Sequence, residues 1–307
     1  MTNNPNFQKK RKELRQLQSI ITYPDRGKWG DSRYRGNCSG HVIFDLINHF
    51  YKGEKPKKFI EVFSGGGTGK DVAKELGLHN SVHLDLLTGW NATTDDIPFG
   101  ADFVFSHPPY WDIIKYETQR KFEHEDDLSN SMSYEEFIQK LDIVNCKIYS
   151  SLVNGGRHAM LIGDIRKKGK YYSMQKDLTW FGDIEAFITK IQHNTVSDRR
   201  SYKGDFIPIV HEHLLVFKKN TVWAIPLKIT RDHLTSLKNF TKITWRDLIQ
   251  ATLEELGGKA SLAQLYEIIA DSKKAKNNQF WKEKIRQTLQ RHHNFLRIDR
   301  GEWGLQI

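Results

Sequence analysis

Short apolar segments alternate with amphipathic segments between residues 41 and 219. The segments with the composition of buried strands are FIEVF (59–63), SVHLDL (81–86), ADFVFS (101–106), RHAMLIGDI (157–165) and HEHLLVFKK (211–219). Those with helical spacing are HVIFDLINHFY (41–51), KDVAKELG (70–77), YEEFIQKLDIVNCKIYSSL (134–152) and FGDIEAFITKIQ (181–192). Strands that alternate with helices build a mostly parallel sheet covered on both faces. We therefore predict an α/β domain over residues 21–230.

The pattern changes after about residue 230. TWRDLIQATLEEL (244–256), SLAQLYEIIADS (261–272) and NQFWKEKIRQTLQRHH (278–293) each have helical spacing, and FLRIDRGEWGLQ (295–306) predicts two short strands around a turn. Three helices and a two-stranded wing are typical of a winged helix-turn-helix, which often reads DNA. We predict such a domain over residues 240–307, with a helical domain for protein contacts as the alternative.

The charge balance favours a polyanionic partner. The chain has 47 Lys and Arg residues against 37 Asp and Glu residues, a formal net charge of +10, and residues 1–20 form a separate basic segment. Cations near phosphates release counterions, so nucleic acid is the partner class that this charge favours. Two cysteines are too few for a disulfide framework or a cysteine-based zinc site, and we expect no metal. The first residues lack an apolar signal core and no apolar run is long enough to span a membrane, so we expect a cytoplasmic protein without membrane contact.

A glycine-rich turn follows the first predicted strand, in FSGGGTG (63–69). Glycines let the backbone approach a ligand closely, and the following helix offers free N–H groups at its first turn. Asp85 ends the second strand about 20 residues later, where a carboxylate can accept hydrogen bonds from the ribose of an adenosine-containing cofactor. A solvated Asp at a strand end is the alternative. Asp96, in the next loop, either contacts an adenine amino group or caps a turn.

A second turn, HPPY (107–110), follows the strand ADFVFS. Proline lacks an N–H group and has a fixed φ, so Pro108 and Pro109 must end the strand in a rigid turn. The polar His107 and the aromatic Tyr110 flank the prolines and suggest a platform for a flat ligand. Trp111 either extends this aromatic wall or belongs to the core.

Together these motifs resemble the amino-methyltransferases, which transfer a methyl group from S-adenosylmethionine to an exocyclic amine. FSGGGTG resembles their cofactor loop, HPPY is similar to their catalytic [DNS]-P-P-[YFW] tetrapeptide, and YRGNCSG (34–40) occupies the position of the motif that contacts the methionine end of the cofactor. The resemblance covers residues 30–219 and implies a Rossmann-like, doubly wound, mostly parallel seven-stranded sheet. It implies S-adenosylmethionine as cofactor, with catalytic residues His107, Pro108, Pro109 and Tyr110 and cofactor-binding residues Asn37, Ser39, Glu61, Phe63, Ser64, Gly65, Gly67, Thr68, Asp85 and Asp96.

The reaction explains why the tetrapeptide needs an acceptor at its first position. A base amine is a poor nucleophile because its lone pair is conjugated with the ring. Hydrogen bonds from the amine to His107 and to the Pro108 carbonyl would draw the nitrogen towards sp³, while Tyr110 stacks on a base that has left the duplex. His107 departs from the family pattern of Asp, Asn or Ser, and only its neutral form has an acceptor nitrogen. Ser106 is the alternative acceptor, and an inactive enzyme is a further alternative.

The order of the motifs resembles that of enzymes that methylate adenine N6 in double-stranded DNA. Cytosine N4, an amino group of RNA, and a non-catalytic DNA-binding protein with this fold stay open. The predicted contributors to target recognition are the C-terminal domain and the loops at 112–133 and 166–206. A partner restriction nuclease would fit the resemblance, whereas the recognition sequence and the oligomeric state are left open.

Overall fold

The structure, a computed structural model, describes residues 17–193, 207–220, 234–235, 237–239 and 243–306. Most of the predicted basic segment 1–20 and the last part of the predicted loop 166–206 lie outside the described residues. Among the helices that are described, none combines the length and the apolar character needed to cross a bilayer.

A seven-stranded sheet forms the centre of the molecule. Its strands are β1 (Ile20–Thr22), β2 (Phe59–Val62), β3 (Ser81–Leu84), β4 (Ala101–Ser106), β5 (Leu152–Ile162), β8 (Asp183–Ile191) and β9 (His211–Lys218), and a separate hairpin contains β6 (Ile165–Lys167) and β7 (Lys170–Tyr172). The strand order is β1-β8-β9-β5-β4-β2-β3. β9 is antiparallel to β5 and to β8, and the other neighbouring pairs are parallel. The predicted mostly parallel, seven-stranded α/β sheet is confirmed.

Helices cover both faces of this sheet. They are α1 (Gly40–Tyr51), α2 (Thr68–Leu76), α3 (Glu117–Arg120), α4 (Tyr134–Ser151) and α5 (Met174–Asp177), with a 3₁₀ turn at Leu86–Thr88. Successive residues of a strand point to opposite faces, and β4 shows the result. Phe103 and Phe105 share a core with α1 and α2, whereas Val104 packs in a second core with α4. Each face of the sheet therefore has its own apolar layer.

The prediction of a helix over residues 181–192 is wrong, because this segment is strand β8. Ile184, Ala186 and Ile188 recur at every second position, and β8 pairs along its length with β9. Alternation and β-branched residues favour a strand once hydrogen-bonding neighbours are available on both sides. The same residues also fit a helical spacing, but hydrogen bonding to β1 on one side and β9 on the other favours the strand.

The C-terminal residues form a separate apolar core. The elements are α6 (Trp245–Glu255), β10 (Lys259–Ser261), α7 (Leu262–Ile269), α8 (Lys273–Lys276), α9 (Trp281–Arg291), β11 (Phe295–Asp299) and β12 (Glu302–Leu305). The three predicted helices and the two predicted strands are confirmed, and β10 adds a third strand in the order β10-β12-β11. Leu248, Leu265, Ile285 and Leu289 form the centre of this core and have at most 1% of their surface exposed.

Helix α4 joins this C-terminal unit to the sheet. Its Ile143 belongs to the C-terminal apolar core. Its Lys147 is buried and donates hydrogen bonds to the carbonyls of three residues that follow the 3₁₀ turn, namely Ala92 (3.2 Å), Thr93 (3.0 Å) and Asp95 (3.1 Å). The same ammonium lies 3.4 Å from Asp247 Oδ2 on α6. Burial alone would raise the pKa of Asp247, but the charges of Lys147 and Arg246 outweigh it and leave this pKa below its usual value.

Candidate active site

The glycine loop after β2 turns sharply over the end of β3. Phe63 has a φ of 64° and Gly65 a φ of 46°, in the left-handed region that only glycine adopts without strain. The N–H groups of Phe63 and Ser64 donate to the Leu84 carbonyl, at 2.9 and 3.1 Å. A Cβ on Gly65 would lie 2.9 Å from the ring of Tyr34. The loop therefore needs glycine here because the segment YRGNCSG approaches its backbone closely.

Asp85 connects this loop to the end of β3. Its Oδ2 accepts the Gly65 N–H at 3.0 Å, and its Oδ1 accepts the Leu87 N–H at 2.9 Å. Asn37 makes a parallel contact, because its Oδ1 accepts the Gly66 N–H at 3.1 Å. An ionised carboxylate has about four lone-pair sites, so Asp85 keeps capacity for a ligand after these two bonds.

Three of the predicted cofactor residues lie behind the loop. Glu61 is 3% exposed and accepts hydrogen bonds from Gly69 N (2.9 Å) and His83 Nδ1 (2.8 Å). Burial is the largest influence on Glu61 and raises the pKa of its carboxyl. Ser64 and Thr68 are also buried. Glu61 thus holds the end of the loop through Gly69, and none of the three side chains lines either of the two cavities described below.

Gly67, Ser39 and Asp96 have different surroundings. Gly67 precedes the first residue of α2 with a φ of 82°. Ser39 lies before α1 and lines the larger of the two cavities. Asp96 does not line either cavity, and its carboxylate lies 3.2 Å from the guanidinium of Arg246. The structure thus brings Asp96 to the C-terminal unit and not to the glycine loop.

The first cavity lies between the glycine loop and the HPPY turn and has a volume of about 60 Å³. Predicted residues in its wall are Asn37, Phe63, Gly65, Asp85, His107 and Pro109. Residues that sequence analysis missed include Tyr34, Trp90, Tyr116 and Arg120. The rings of Tyr34 and Tyr116 stack with centroids 5.8 Å apart, which narrows the cavity.

A second cavity of about 470 Å³ opens on the other side of the turn. Pro108 and Tyr110 line it, and His107 lines both cavities. Ser106 is buried at the end of β4 and its Oγ bonds to His158 Nε2 at 2.7 Å. The predicted catalytic tetrapeptide therefore separates two adjacent cavities, and Ser106 belongs to neither.

Glu212 and Lys190 extend the tetrapeptide into a chain of hydrogen bonds. Tyr110 donates its hydroxyl proton to Glu212 Oε1 at 2.8 Å, and Lys190 Nζ lies 2.7 Å from Glu212 Oε2. His107 Nε2 lies 3.1 Å from the Tyr110 oxygen. A phenol has one proton, so Tyr110 must accept from His107, which assigns the proton to Nε2 and leaves Nδ1 as the acceptor. The only sequence signal for Glu212 was an acid inside the apolar segment HEHLLVFKK.

Burial and neighbouring charges set the protonation states of His107 and Glu212. Burial lowers the pKa of His107, with a smaller opposing influence from Glu212. Burial raises the pKa of Glu212, but Lys190 and the other neighbours outweigh it and bring this pKa below its usual value. At neutral pH the arrangement is a neutral imidazole, a neutral phenol and a paired carboxylate.

Trp111 belongs to the core and does not extend the aromatic wall of the HPPY turn, so the second of the two interpretations from the sequence is correct. Its indole is 7% exposed, donates to the Met132 carbonyl at 2.9 Å and packs edge-on against Tyr134 and Tyr172. Its φ of 52° is unusual for a residue other than glycine. Strained backbone of this kind is common where a site must hold one conformation, and here it directly follows the HPPY turn.

No protein-family model matches the chain, and no curated protein matches it. Among solved structures, the chain is similar to TTHA0409 of Thermus thermophilus, assigned as a DNA modification methylase, at 18% identity over 57% of this chain and 59% of that one, with a TM-score of 0.29. The complex of that protein with S-adenosyl-L-methionine gives 19% identity, 57% and 58% coverage and a TM-score of 0.27. TrmN from Thermus thermophilus gives 13% identity, 60% and 50% coverage and a TM-score of 0.31. The chain spans less than two thirds of the length of each of these structures.

Proposed function

We propose that the protein is an S-adenosylmethionine-dependent methyltransferase that acts on the exocyclic amino group of a DNA base. The preferred target in this proposal is adenine N6. The observation that carries the proposal is His107, which lies between the two cavities with Nε2 occupied by Tyr110 and Nδ1 left to accept. One cavity would hold the cofactor and the other the base, so that the two reactants meet at the tetrapeptide.

The residues of the first cavity fit an adenosine-containing cofactor. The Gly65 backbone, where a side chain would collide with Tyr34, forms a cradle next to the Asp85 carboxylate. Asp85 would accept hydrogen bonds from the ribose hydroxyls, and Phe63 and Trp90 would contact the adenine ring. Ligand pockets usually exceed about 300 Å³, so we expect the stacked rings of Tyr34 and Tyr116 to move apart when the cofactor enters.

The second cavity would receive the flipped base. Its amine would donate one hydrogen bond to His107 Nδ1 and one to the Pro108 carbonyl, which would direct the nitrogen lone pair at the methyl group. The nitrogen would gain the methyl group as the cofactor's S–C bond breaks, and it would release one proton to His107 Nδ1. When bound, the cofactor supplies the electrophilic methyl group of its sulfonium. His107 and Pro108 would orient the amine towards it, and such positioning accounts for much of the catalysis in reactions of this kind.

The hydrogen bonds that link His107, Tyr110, Glu212 and Lys190 would keep His107 Nδ1 available as an acceptor. Tyr110 donates its one hydroxyl hydrogen bond to Glu212, so it can only accept a hydrogen bond from His107. The imidazole therefore keeps one tautomer. Because burial lowers the pKa of His107, the ring stays neutral at the pH of the cell. A histidine can in this way replace the Asp, Asn or Ser of the family pattern.

The C-terminal unit would contact DNA as a winged helix-turn-helix. Its three longer helices, α6, α7 and α9, and its three-stranded antiparallel sheet have the composition of that module. Lys282, Lys284, Arg286 and Arg291 of α9 are exposed. They supply positive charge on the helix that corresponds to the reading helix of such modules.

The direct test is incubation of the purified protein with radiolabelled S-adenosylmethionine and, separately, double-stranded DNA, single-stranded DNA and structured RNA. We expect label in double-stranded DNA, and mass spectrometry of the digested DNA to give N6-methyladenine. N4-methylcytosine would change the base and keep the reaction. Label only in RNA, or cofactor binding without transfer to any of the three, would contradict the proposal.

Asp85→Ala should weaken cofactor binding without abolishing the fold. A hydrogen bond to a charged group contributes about 1.5–3 kcal/mol, so the dissociation constant should rise roughly tenfold to a hundredfold. Calorimetric titration with S-adenosylmethionine measures it. Asp96→Ala is the matched control, because Asp96 pairs with Arg246 and should leave this affinity unchanged. Equal affinities for wild type and Asp85→Ala would remove Asp85 from the cofactor site.

Lys282→Gln combined with Lys284→Gln should weaken DNA binding and reduce its dependence on salt. Each lost phosphate contact lowers the slope of log K against log salt by about 0.9. Fluorescence anisotropy with a labelled duplex at several salt concentrations measures both quantities.

The control for this variant is Lys52→Gln combined with Lys57→Gln. It removes the same charge from exposed positions: Lys52 follows the end of α1, and Lys57 precedes β2, whose other end leads into the glycine loop. Equal slopes in the two double variants would make the C-terminal unit a protein-contact module. Substitution is a better test than truncation after residue 240, because truncation would expose Ile143 and leave Lys147 without Asp247.

A further inference from the structure

Two histidines of β9 and an aspartate that follows β5 lie close together. His211 and His213 begin β9, and Asp164 follows the end of the neighbouring strand β5. One potential ligand atom from each of the three lies within 4.8 Å of the others. Alternate residues of a strand point to the same face, so both histidines lie opposite to Glu212. The two histidines therefore face away from the Tyr110–Glu212–Lys190 hydrogen bonds.

Two buried atoms of this group have no hydrogen-bond partner among the described residues. They are Asp164 Oδ1 and His213 Nδ1. The Asp164 side chain is 5% exposed and that of His213 10% exposed. A buried polar atom without a partner is unfavourable, and a ligand or water usually satisfies it. Asp164 Oδ1 is such an atom within a cluster of metal-ligand residues, where a cation would be its partner.

Contacts within and around the cluster hold the Asp164 carboxylate in place. Asp164 Oδ2 lies 3.2 Å from His213 Nε2 and accepts the Tyr171 hydroxyl at 2.8 Å. The rings of His211 and His213 are 5.0 Å apart and nearly perpendicular. Hydrogen bonds from outside the ligand set, such as that of Tyr171, orient ligands in most protein metal sites.

We propose that Asp164, His211 and His213 bind a divalent first-row transition ion, with zinc as the reference ion. Two imidazoles and one carboxylate suit Zn²⁺, and three protein ligands leave a position for water. Two ligands of a tetrahedral zinc ion lie about 3.4 Å apart, since each bond is about 2.1 Å long. The three ligand atoms lie within 4.8 Å of one another, so side-chain movements of about 1–1.5 Å would bring them to that spacing. Sequence analysis missed the site because Asp164 lies far from the histidines along the chain.

The test uses the full chain after treatment with a chelator and dialysis. Titration with Co²⁺ should give visible absorption bands of a nitrogen- and oxygen-ligated ion, saturating near one ion per chain, and Zn²⁺ should abolish the bands. Asp164→Asn and His211→Ala should each weaken binding at least tenfold. His79→Ala, at an exposed histidine, is the matched control and should bind as wild type does.

Thermal unfolding provides a second measurement that does not depend on the absorption bands. An ion that binds the folded chain raises its melting temperature, so Zn²⁺ should stabilise wild type and His79→Ala but not His211→Ala. Wild type that binds no stoichiometric Co²⁺ would overturn the proposal, and so would binding that is equal in wild type, Asp164→Asn and His211→Ala. Those results would mean that the cluster binds no ion and that its only role is the hydrogen bond between His213 and Asp164.

Discussion

His107→Ala should lower the single-turnover rate of methyl transfer by about a hundredfold to a thousandfold, the effect of removing one well-placed catalytic hydrogen-bond partner. The affinity for S-adenosylmethionine should change little. An interaction that strengthens as the amine nitrogen becomes sp³ acts on the chemical step, and its loss appears in the rate constant. Rapid mixing of the preformed cofactor complex with a DNA duplex measures this rate.

Conservative variants separate the acceptor role from a structural one. His107→Asn and His107→Asp restore an acceptor and should retain more activity than His107→Ala. Tyr110→Phe keeps His107 but removes the partner of Nε2, so both tautomers become accessible and a smaller loss is expected. If His107→Ala transferred methyl groups at the wild-type rate, His107 would not be catalytic. Ser106 could not replace it, because its hydroxyl is buried against His158.

The same rate should fall at acid pH, below the ordinary range of histidine. Protonation removes the only acceptor of His107, and burial lowers its pKa from the usual value of 6.5. The descending limb of the single-turnover rate should therefore have its midpoint below pH 6.5 and be absent in His107→Asn. A midpoint above 6.5 in the wild-type protein would contradict the neutral, buried imidazole.

Lys147→Ala should lower the free energy of unfolding by about 3–5 kcal/mol, the usual effect of removing one partner from a buried ion pair. The substitution leaves the Asp247 carboxylate buried beside Arg246 and takes the hydrogen bonds from three backbone carbonyls. It also removes the bond between α4 and the residues after the 3₁₀ turn. Urea unfolding, followed by circular dichroism, gives the free energy.

Lys140→Ala on the same helix is the matched control. Its ammonium pairs with Glu136 one turn away at a partly exposed position, an arrangement that contributes only about 0.3–0.5 kcal/mol. A Lys147→Ala protein as stable as Lys140→Ala would mean that water replaces the lost contacts. Separate unfolding transitions for the sheet and the C-terminal unit in Lys147→Ala would identify Lys147 as the link between them.

The local sequence correctly predicted those helices and strands whose apolar pattern matches the faces that the fold buries. Strand β4 and helix α4 have the predicted bounds to within one residue, since alternation in one and an apolar stripe in the other match the layers that bury them. The segment at 181–192 was misread because its pattern suits both structures, and only pairing with β9 decides between them. Strand β1 was missed since three residues carry too little pattern.

The sequence by itself determined the turns that carry the candidate chemistry. A glycine run after a buried strand and two adjacent prolines after another restrict the backbone locally, so their positions and shapes follow from residue type alone. The tertiary structure decided what these turns face. Asp85 and Asp96 are both loop acids in the sequence, yet one bonds to the glycine loop and the other to Arg246. The partnership of His107 and Tyr110 with Glu212, and that of Asp164 with the two histidines, join residues distant in sequence. Such contacts depend on the order in which strands pair, and no local preference encodes that order.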